Sequence, residues 1–177
     1  MKKNKIFVAC DATNTSKIKK IINSTQNSKI QIGYKFGLEF LNSKKGRSFL
    51  SKLKNKIIFA DLKLHDIPNT CASTVRAMKD LKINYLTIHI SSGLQALKAT
   101  KKVSGKIKLT GVTILTSLDN KSLKEIGFNR DIKNLVLHQA KLANKAKLDA
   151  IVCSAQEVKL VKKVFKKEII TPGIRFN

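Results

Sequence analysis

Asp61-Leu62-Lys63-Leu64-His65-Asp66-Ile67-Pro68-Asn69-Thr70 is a charged stretch that directly follows the apolar run Ile57-Ile58-Phe59-Ala60. The apolar run is typical of a buried strand, so the sequence predicts that the charges begin where that strand ends. Asp61 and Lys63 are two residues apart and are expected on the same side of an extended backbone, with Asp66 beyond the strand on a turn. Because an unpaired buried ion costs on the order of several kcal/mol, two carboxylates around one ammonium indicate a functional site.

Strand and helix patterns alternate along the whole chain. Six further apolar runs predict strands at residues 6–10, 30–36, 85–90, 107–115, 150–153 and 168–171. Between the strands, apolar residues recur at helical spacing and short polar residues mark candidate helix starts. The predicted helix faces are Ile18, Ile21 and Ile22; Val75, Met78 and Leu81; and Leu135, Leu137, Ala140, Leu142 and Ala143, and the candidate caps are Thr15, Ser16, Asn69, Ser92 and Ser154. Such repeated units predict an α/β protein with a parallel sheet and helices outside it.

Polar residues gather where the predicted strands finish. A (β/α)8 barrel builds its active site from the loops at that one end, and the sequence lacks the glycine-rich loop that favours a doubly wound sheet. We therefore predict a (β/α)8 TIM barrel, in one domain over residues 1–177. About seven βα units are present and no eighth strand follows, so the barrel is expected to be incomplete and truncated at its C-terminal end. The strand-end residues are Asp11, Lys35, Asp61 with Lys63, His89, Thr116, Ser154, and Pro172 with Arg175.

The formal net charge is +25, from 36 Lys and Arg against 11 Asp and Glu, and a charge of this size is compatible with a nucleic-acid partner. The lysines are spread over every predicted helix, however, and do not form one stripe with interleaved aromatic residues. We therefore predict a solvated lysine surface and no nucleic-acid partner. A non-catalytic basic binding protein is the alternative from a different functional class.

The apolar and cysteine content of the chain points to a location inside the cell. No apolar run approaches the roughly 20 residues that span a bilayer, and the run after the lysine-rich start is too short for a signal peptide. We expect a cytoplasmic protein with no membrane partner. Cys10, Cys71 and Cys153 are far apart and lack CxxC spacing, which predicts reduced, mostly buried thiols and no metal site.

Seven motifs occur in an order known from one enzyme family. The chain resembles the orotidine 5'-phosphate decarboxylases over its whole length. The DxKxxD pattern is shared with related sugar-phosphate enzymes, whereas HDIPNT at 65–70 and TPGIR at 171–175 are more particular to the orotidylate enzymes. The motifs are Val8-Ala9-Cys10-Asp11, Gly33-Tyr34-Lys35, the stretch 61–70, Thr87-Ile88-His89, Val112-Thr113-Ile114-Leu115-Thr116-Ser117, Val152-Cys153-Ser154-Ala155 and Thr171-Pro172-Gly173-Ile174-Arg175.

The resemblance implies the loss of CO2 from orotidine 5'-monophosphate to give UMP, a step of pyrimidine biosynthesis, without a metal or organic cofactor. It implies that Lys63 stabilises the carbanion at C6 and protonates it, while Asp61 faces the departing carboxylate. It also implies a homodimer in which Asp66 crosses to the partner's site and completes a charge network with Lys35. The implied substrate contacts are Asp11 and Lys35 at the ribose, Thr70 at the sugar of the partner's site, Thr116 at the pyrimidine, Pro172 in the same pocket and Arg175 at the phosphate.

Several alternatives stay open at this point. His89 fits a structural place at the barrel mouth as well as a ligand role, and we predict that His65 and His138 are structural. The family's phosphate-gripping loop and the Gly-Arg pair of its eighth strand have no counterpart in the sequence. An inactive truncated remnant is therefore one alternative. Because the DxKxxD pattern is shared, a sugar-phosphate decarboxylase or aldolase of the same superfamily is the other.

Overall fold

The computed structural model describes residues 5–174 of an α/β protein. The strands follow one another in the sheet in sequence order, from β1 to β7. The pairs β1–β2, β2–β3, β5–β6 and β6–β7 are parallel. This is the order of a βα barrel; in a doubly wound sheet the order reverses. The strands are β1 Lys5–Ala9, β2 Gln31–Gly37, β3 Ile57–Leu64, β4 Tyr85–His89, β5 Lys108–Val112, β6 Ala150–Val152 and β7 Glu168–Ile170.

Eight α-helices lie between these strands in the described part of the chain. They are α1 Thr15–Thr25, α2 Leu38–Leu41, α3 Gly46–Lys52, α4 Pro68–Ala77, α5 Gly93–Val103, α6 Asn120–Glu125, α7 Ile132–Lys145 and α8 Val158–Val164. Short 3₁₀ turns occur at Lys79–Leu81, Ile90–Ser92 and Ala155–Glu157. Within residues 5–174, no helix combines the length and the apolar character that crossing a membrane requires.

All seven predicted strands are present; five end within one residue of the predicted position, and two end three or four residues away from it. β3 was expected to end at Ala60, but it continues through Leu64, and its pairing with β2 extends to the Gly37 and Asp61 pair. β5 ends at Val112 and not at 115, because the apolar residues that follow lie in a loop, where Leu115 is exposed. An apolar run alone therefore misplaces a strand end by several residues.

The predicted helix faces are largely confirmed, whereas the caps are mixed. Ile18 and Ile22 are buried on α1, but Asn14 caps this helix by accepting from the N–H groups of Ser16 and Lys17, so Thr15 and Ser16 are wrong as caps. Asn69 is also wrong, because it lies inside α4. Ser154 is confirmed, since its hydroxyl accepts from the Gln156 N–H at 3.2 Å, and Ser92 takes the cap position of α5 without a side-chain hydrogen bond to that helix.

The other two predicted faces are also buried in large part. Val75, Met78 and Leu81 are all buried, although α4 ends at Ala77 and Leu81 belongs to the following 3₁₀ turn. On α7 the buried residues are Leu135, Val136, Gln139, Ala140 and Ala143, while Leu137 and Leu142 are half-buried. The short helices α2, α3 and α6 were not predicted, since four to seven residues are too few to show a helical repeat.

The described chain divides into two compact units, and the first comprises residues 5–62 and 76–86. Its strands pack around an aromatic cluster in which the Phe7 ring lies 5.0 Å from both the Phe59 and the Tyr85 ring. Gly33 makes room for this cluster, because a Cβ there would lie 2.6 Å from Phe7 Cδ1. The Asn84 side chain accepts a 2.8 Å hydrogen bond from the Ile58 N–H.

The second unit comprises residues 63–75 and 87–174. β5, β6 and β7 pair in parallel within it, and Gly111 on β5 leaves space for Leu148, whose Cδ1 would lie 2.8 Å from an added Cβ. Asp149 accepts from the Leu109 N–H at 2.9 Å and from Lys101 Nζ at 2.5 Å, so one carboxylate joins the start of β5 to α5. The expectation of one domain over residues 1–177 stays a prediction.

Candidate functional site

Three of the predicted site residues come together in the first unit. Lys35 Nζ lies 3.5 Å from Asp11 Oδ1 and 3.4 Å from Asp61 Oδ2. The strand register explains this meeting, because Lys35 of β2 pairs with Ala9 of β1, two residues before Asp11, while Gly37 of β2 pairs with Asp61 of β3. One ammonium is therefore shared by two carboxylates that come from neighbouring strands.

Asp61 is the most desolvated member of this group. It is 8% exposed and is the only charged residue classed as buried among residues 5–174, whereas Lys35 is half-buried and Asp11 is exposed. A carboxylate taken out of water needs a countercharge, and attraction between ions is stronger where water is excluded. The Lys35–Asp61 pair is therefore the stronger of the two contacts.

Cys10 precedes Asp11 and is completely buried. Burial raises the pKa of its thiol to about 11, with a further increase from Asp11 and a smaller opposing effect of Lys35. The thiol is therefore protonated at neutral pH and is a poor nucleophile. Cys71 and Cys153 are also free and buried, which confirms the prediction of buried, reduced thiols.

Lys63 belongs to the second unit and has an unusual backbone conformation. Its φ angle is 49°, in the left-handed region, so the expectation of an extended backbone at this residue is wrong. Its N–H donates a 2.8 Å hydrogen bond to Oγ1 of Thr87, a completely buried residue of β4. The left-handed conformation costs a residue with a Cβ roughly 1–2 kcal/mol. Asn55, Lys82 and Lys147 also have a positive φ.

Asp66 and Thr70 follow Lys63 in the same unit and are both exposed. The Asp66 carboxylate accepts from the N–H of Ile67 at 2.7 Å, and the Cys71 thiol donates to the Asp66 carbonyl at 3.3 Å. Thr70 lies in the first turn of α4, and Ile67 between them is 65% exposed. The turn is thus fixed from inside by Cys71, while its polar side chains and one large apolar side chain face outward.

The remaining predicted site residues lie in loops or outside the described chain. Thr116 is exposed in a turn after β5, and Pro172 is exposed after β7. Arg175 lies outside residues 5–174. Sequence reasoning missed Thr87 as a partner of Lys63, although a polar residue inside the apolar strand Tyr85-Leu86-Thr87-Ile88 was the available signal.

Two of the three histidines lie close together. The His65 and His89 rings are 5.3 Å apart, and Nε2 of His65 lies 3.4 Å from the Ser91 hydroxyl. His138 is exposed on α7. This contact between the rings fits a structural role and a ligand role for His89 equally well.

The chain matches the model of one known protein family over almost its whole length. A model described as "Orotidine 5'-phosphate decarboxylase / HUMPS family" matches residues 4–177. The chain belongs to this family. The resemblance seen in the motifs is thereby confirmed.

Named relatives and a solved structure agree with this membership. An orotidine 5'-phosphate decarboxylase of Wolbachia pipientis subsp. Culex pipiens (strain wPip) is 50% identical over 149 residues, which are 81% of this chain and 66% of the relative. That of Wolbachia sp. subsp. Brugia malayi (strain TRS) is 42% identical over 97% of this chain and 78% of the relative. The crystal structure of orotidine 5'-phosphate decarboxylase from Lactobacillus acidophilus is 32% identical, with a TM-score of 0.86 over 96% of this chain and 81% of that chain.

These likenesses and the strand order confirm the predicted fold class, a (β/α)8 TIM barrel, of which seven strands lie in the described residues. The chain spans about two thirds to four fifths of the length of these three proteins.

Proposed function

We propose that the protein decarboxylates orotidine 5'-monophosphate to UMP, without a cofactor, as a homodimer in the cytoplasm. The observation that carries the proposal is the Lys35 ammonium held between Asp11 and Asp61, in a member of this family. Burying Asp61 costs free energy that its pairing with Lys35 only partly offsets, which favours a functional reason for the cluster over a purely stabilising one. The three free thiols support a reducing compartment.

In the proposed reaction, the bond between C6 of the pyrimidine and the carboxylate carbon breaks, and its electron pair stays on C6. The Lys63 ammonium stabilises this negative charge and then donates a proton to C6, which gives UMP and CO2. The neutral amine that remains takes a proton from water before the next turnover.

Asp61 is proposed to face the carboxylate that leaves. Repulsion between the two anions is relieved as neutral CO2 forms, which favours the transition state over the bound substrate. Lys35 keeps the buried Asp61 carboxylate compensated at 3.4 Å, so the anion is held in place before the substrate arrives. This arrangement supports a preorganised site.

The remaining contacts are proposed from the positions that match the family. Asp11 and Lys35 bind the ribose hydroxyls, Thr116 and Pro172 line the pyrimidine pocket, and Arg175 binds the phosphate through its guanidinium group. Asp66 and Thr70 act in the partner's site. The exposure of both side chains supports this part of the proposal, because each is accessible to a partner subunit.

The family description also names HUMPS enzymes, so a sugar-phosphate reaction is the second candidate function. The two can be separated with purified protein. We expect orotidine 5'-monophosphate to lose its ring absorbance and UMP to appear by chromatography, at the same rate with and without EDTA. Turnover of a sugar phosphate that EDTA abolishes, with orotidine 5'-monophosphate left unchanged, would establish the second candidate and refute the first.

A further inference from the structure

We infer that Thr87 is a positioning residue, whose hydroxyl fixes the backbone of Lys63 and thereby aims the ammonium at the reacting carbon. The inference rests on the proposed function for its catalytic consequence. Its structural part concerns the conformation of Lys63 and is independent of that function.

The contact itself is specific. The Lys63 N–H donates to Thr87 Oγ1 at 2.8 Å, a normal length for a hydrogen bond between a backbone N–H and a hydroxyl. Thr87 has no exposed surface, so water does not compete for its side chain. Its β-branched side chain has few accessible χ1 rotamers, which holds the hydroxyl in one place.

The conformation of Lys63 explains why such a partner is needed. At the end of a parallel strand, the N–H of an extended residue is available to the neighbouring strand's carbonyl groups. With φ at 49°, the N–H of Lys63 is met by a side-chain oxygen of β4. The hydroxyl satisfies this half-buried N–H in the turned conformation, so it favours that conformation over one in which the N–H has no acceptor.

A second threonine provides the matched control. Thr110 is completely buried on β5 in the same unit, and its hydroxyl lies 3.4 Å from the Lys108 carbonyl, within its own strand. Thr110→Val and Thr87→Val remove the same atom from similar surroundings. Only the second variant removes an acceptor from Lys63.

The kinetic test compares Thr87→Val, Thr87→Ser and Thr110→Val in the orotidine 5'-monophosphate assay. A small misplacement of a reacting group costs up to about a hundredfold in rate, so we expect Thr87→Val to lower kcat by roughly 10- to 100-fold with KM changed less than about twofold. Thr87→Ser, which keeps the hydroxyl, should recover most of kcat, and Thr110→Val should resemble the wild type. Equal kcat for Thr87→Val and Thr110→Val would overturn the inference.

The structural test needs no activity. In a crystal structure of the Thr87→Ser protein, Lys63 should keep its positive φ. In a structure of the Thr87→Val protein, Lys63 should lose the positive φ, or its Nζ should be displaced. An unchanged Lys63 in Thr87→Val overturns the inference even where the wild type is active. If Thr87→Val does not fold, Thr87→Ala is the replacement, with the same two outcomes. If the wild type is inactive but Thr87→Val still changes the φ angle or the Nζ position of Lys63, the proposed function alone is refuted.

Discussion

At Asp61 a carboxylate is held almost entirely out of water, and the side chain opposite it is a lysine that also serves Asp11. Lys35 Nζ lies 3.4 Å from the Asp61 carboxylate and 3.5 Å from the Asp11 carboxylate, so the ammonium is at nearly equal distances from both. A shared cation of this kind can turn toward a ligand while Asp61 remains compensated. Pairing with Lys35 thus keeps a buried anion in a site that is proposed to receive an anionic substrate.

The thiols give a prediction at the same scale. Burial raises the pKa of both Cys10 and Cys153 to about 11, and it also raises the pKa of Cys71. Because the thiolate is the reactive form, we expect slow reaction with a disulfide reagent at pH 8 and a rate that increases as the pH approaches 11. The same raised pKa values mean that the thiols' contribution to stability is complete below about pH 9 and is lost as the pH rises.

The measurement is the release of thiol chromophore from native protein across this pH range. Unfolded protein in guanidinium is the control, and all three thiols should react there at pH 8. Prompt reaction of one thiol in the native protein at pH 8 would contradict the assignment of buried, protonated cysteines.

At the scale of elements, the start of the longest described helix, α7, is fixed by a side-chain cap. α7 begins at the cap Asp131, whose carboxylate accepts from the backbone N–H of Asn134 at 2.9 Å and from its side-chain amide at 2.7 Å. These hydrogen bonds lower the pKa of Asp131 below its ordinary value of 3.8. The stabilisation is therefore present above about pH 4 and is lost as the pH falls through the lowered value.

We expect Asp131→Ala to lower the melting temperature at pH 7, because α7 then begins without a capping oxygen. Asp131→Asn retains an acceptor and should stay close to the wild type. The difference between wild type and Asp131→Ala should shrink below pH 4, as followed by circular dichroism. Equal melting temperatures for the alanine and asparagine variants would rule out the capping role.

Gly33 on β2 gives a second prediction at this scale. A Cβ there would lie 2.6 Å from Phe7 Cδ1 and 3.2 Å from Ile57 Cγ2, so Gly33→Ala must displace a ring of the aromatic cluster. We expect a loss of about 1–3 kcal/mol in the free energy of unfolding in urea, the usual cost of overpacking. Gly37→Ala on the same strand is the control, because its Cβ would meet Asp11 at an ordinary 3.6 Å. Equal losses for the two variants would contradict the packing argument.

The elements also show how far sequence reasoning reaches. Asp11, Lys35 and Asp61 could be predicted to meet, because parallel strands place their carboxyl ends at one edge. The cap of α1 could not be predicted, since Asn14, Thr15 and Ser16 are adjacent and all are good caps, and only backbone geometry selects Asn14. The left-handed backbone at Lys63 was equally hidden, because lysine carries no signal for it and its acceptor, Thr87, is 24 residues away.

At the scale of the whole molecule, a net charge of +25 surrounds a site proposed to take a phosphate monoester. A positive field raises the encounter rate with an anionic substrate, and this effect weakens as salt is added. The field has no bearing on the choice among phosphate-bearing substrates. We propose that selection depends on the residues at the strand ends and on Asp66 and Thr70 of the partner subunit in the proposed homodimer.

The proposed dimer makes a prediction of its own. Lys63→Ala and Asp66→Ala should each be nearly inactive, whereas an equal mixture of the two, after dissociation and reassociation, should regain about a quarter of the wild-type activity. Half of the dimers are then mixed, and each of these contains one site with both native residues. The assay is turnover of orotidine 5'-monophosphate after mixing. A mixture with no more activity than its components would refute the contribution of Asp66 to the partner's site.

The most direct measurement is kcat for orotidine 5'-monophosphate in the wild type, Lys63→Ala and Lys82→Ala. The two lysines have nearly the same φ, 49° and 50°, so both substitutions place alanine in a left-handed backbone and any general strain effect is matched. Loss of a general acid costs roughly 10²- to 10⁴-fold in rate. We predict a decrease of that size for Lys63→Ala and a change of less than about twofold for Lys82→Ala. A Lys63→Ala protein that turns over as fast as Lys82→Ala would contradict the account.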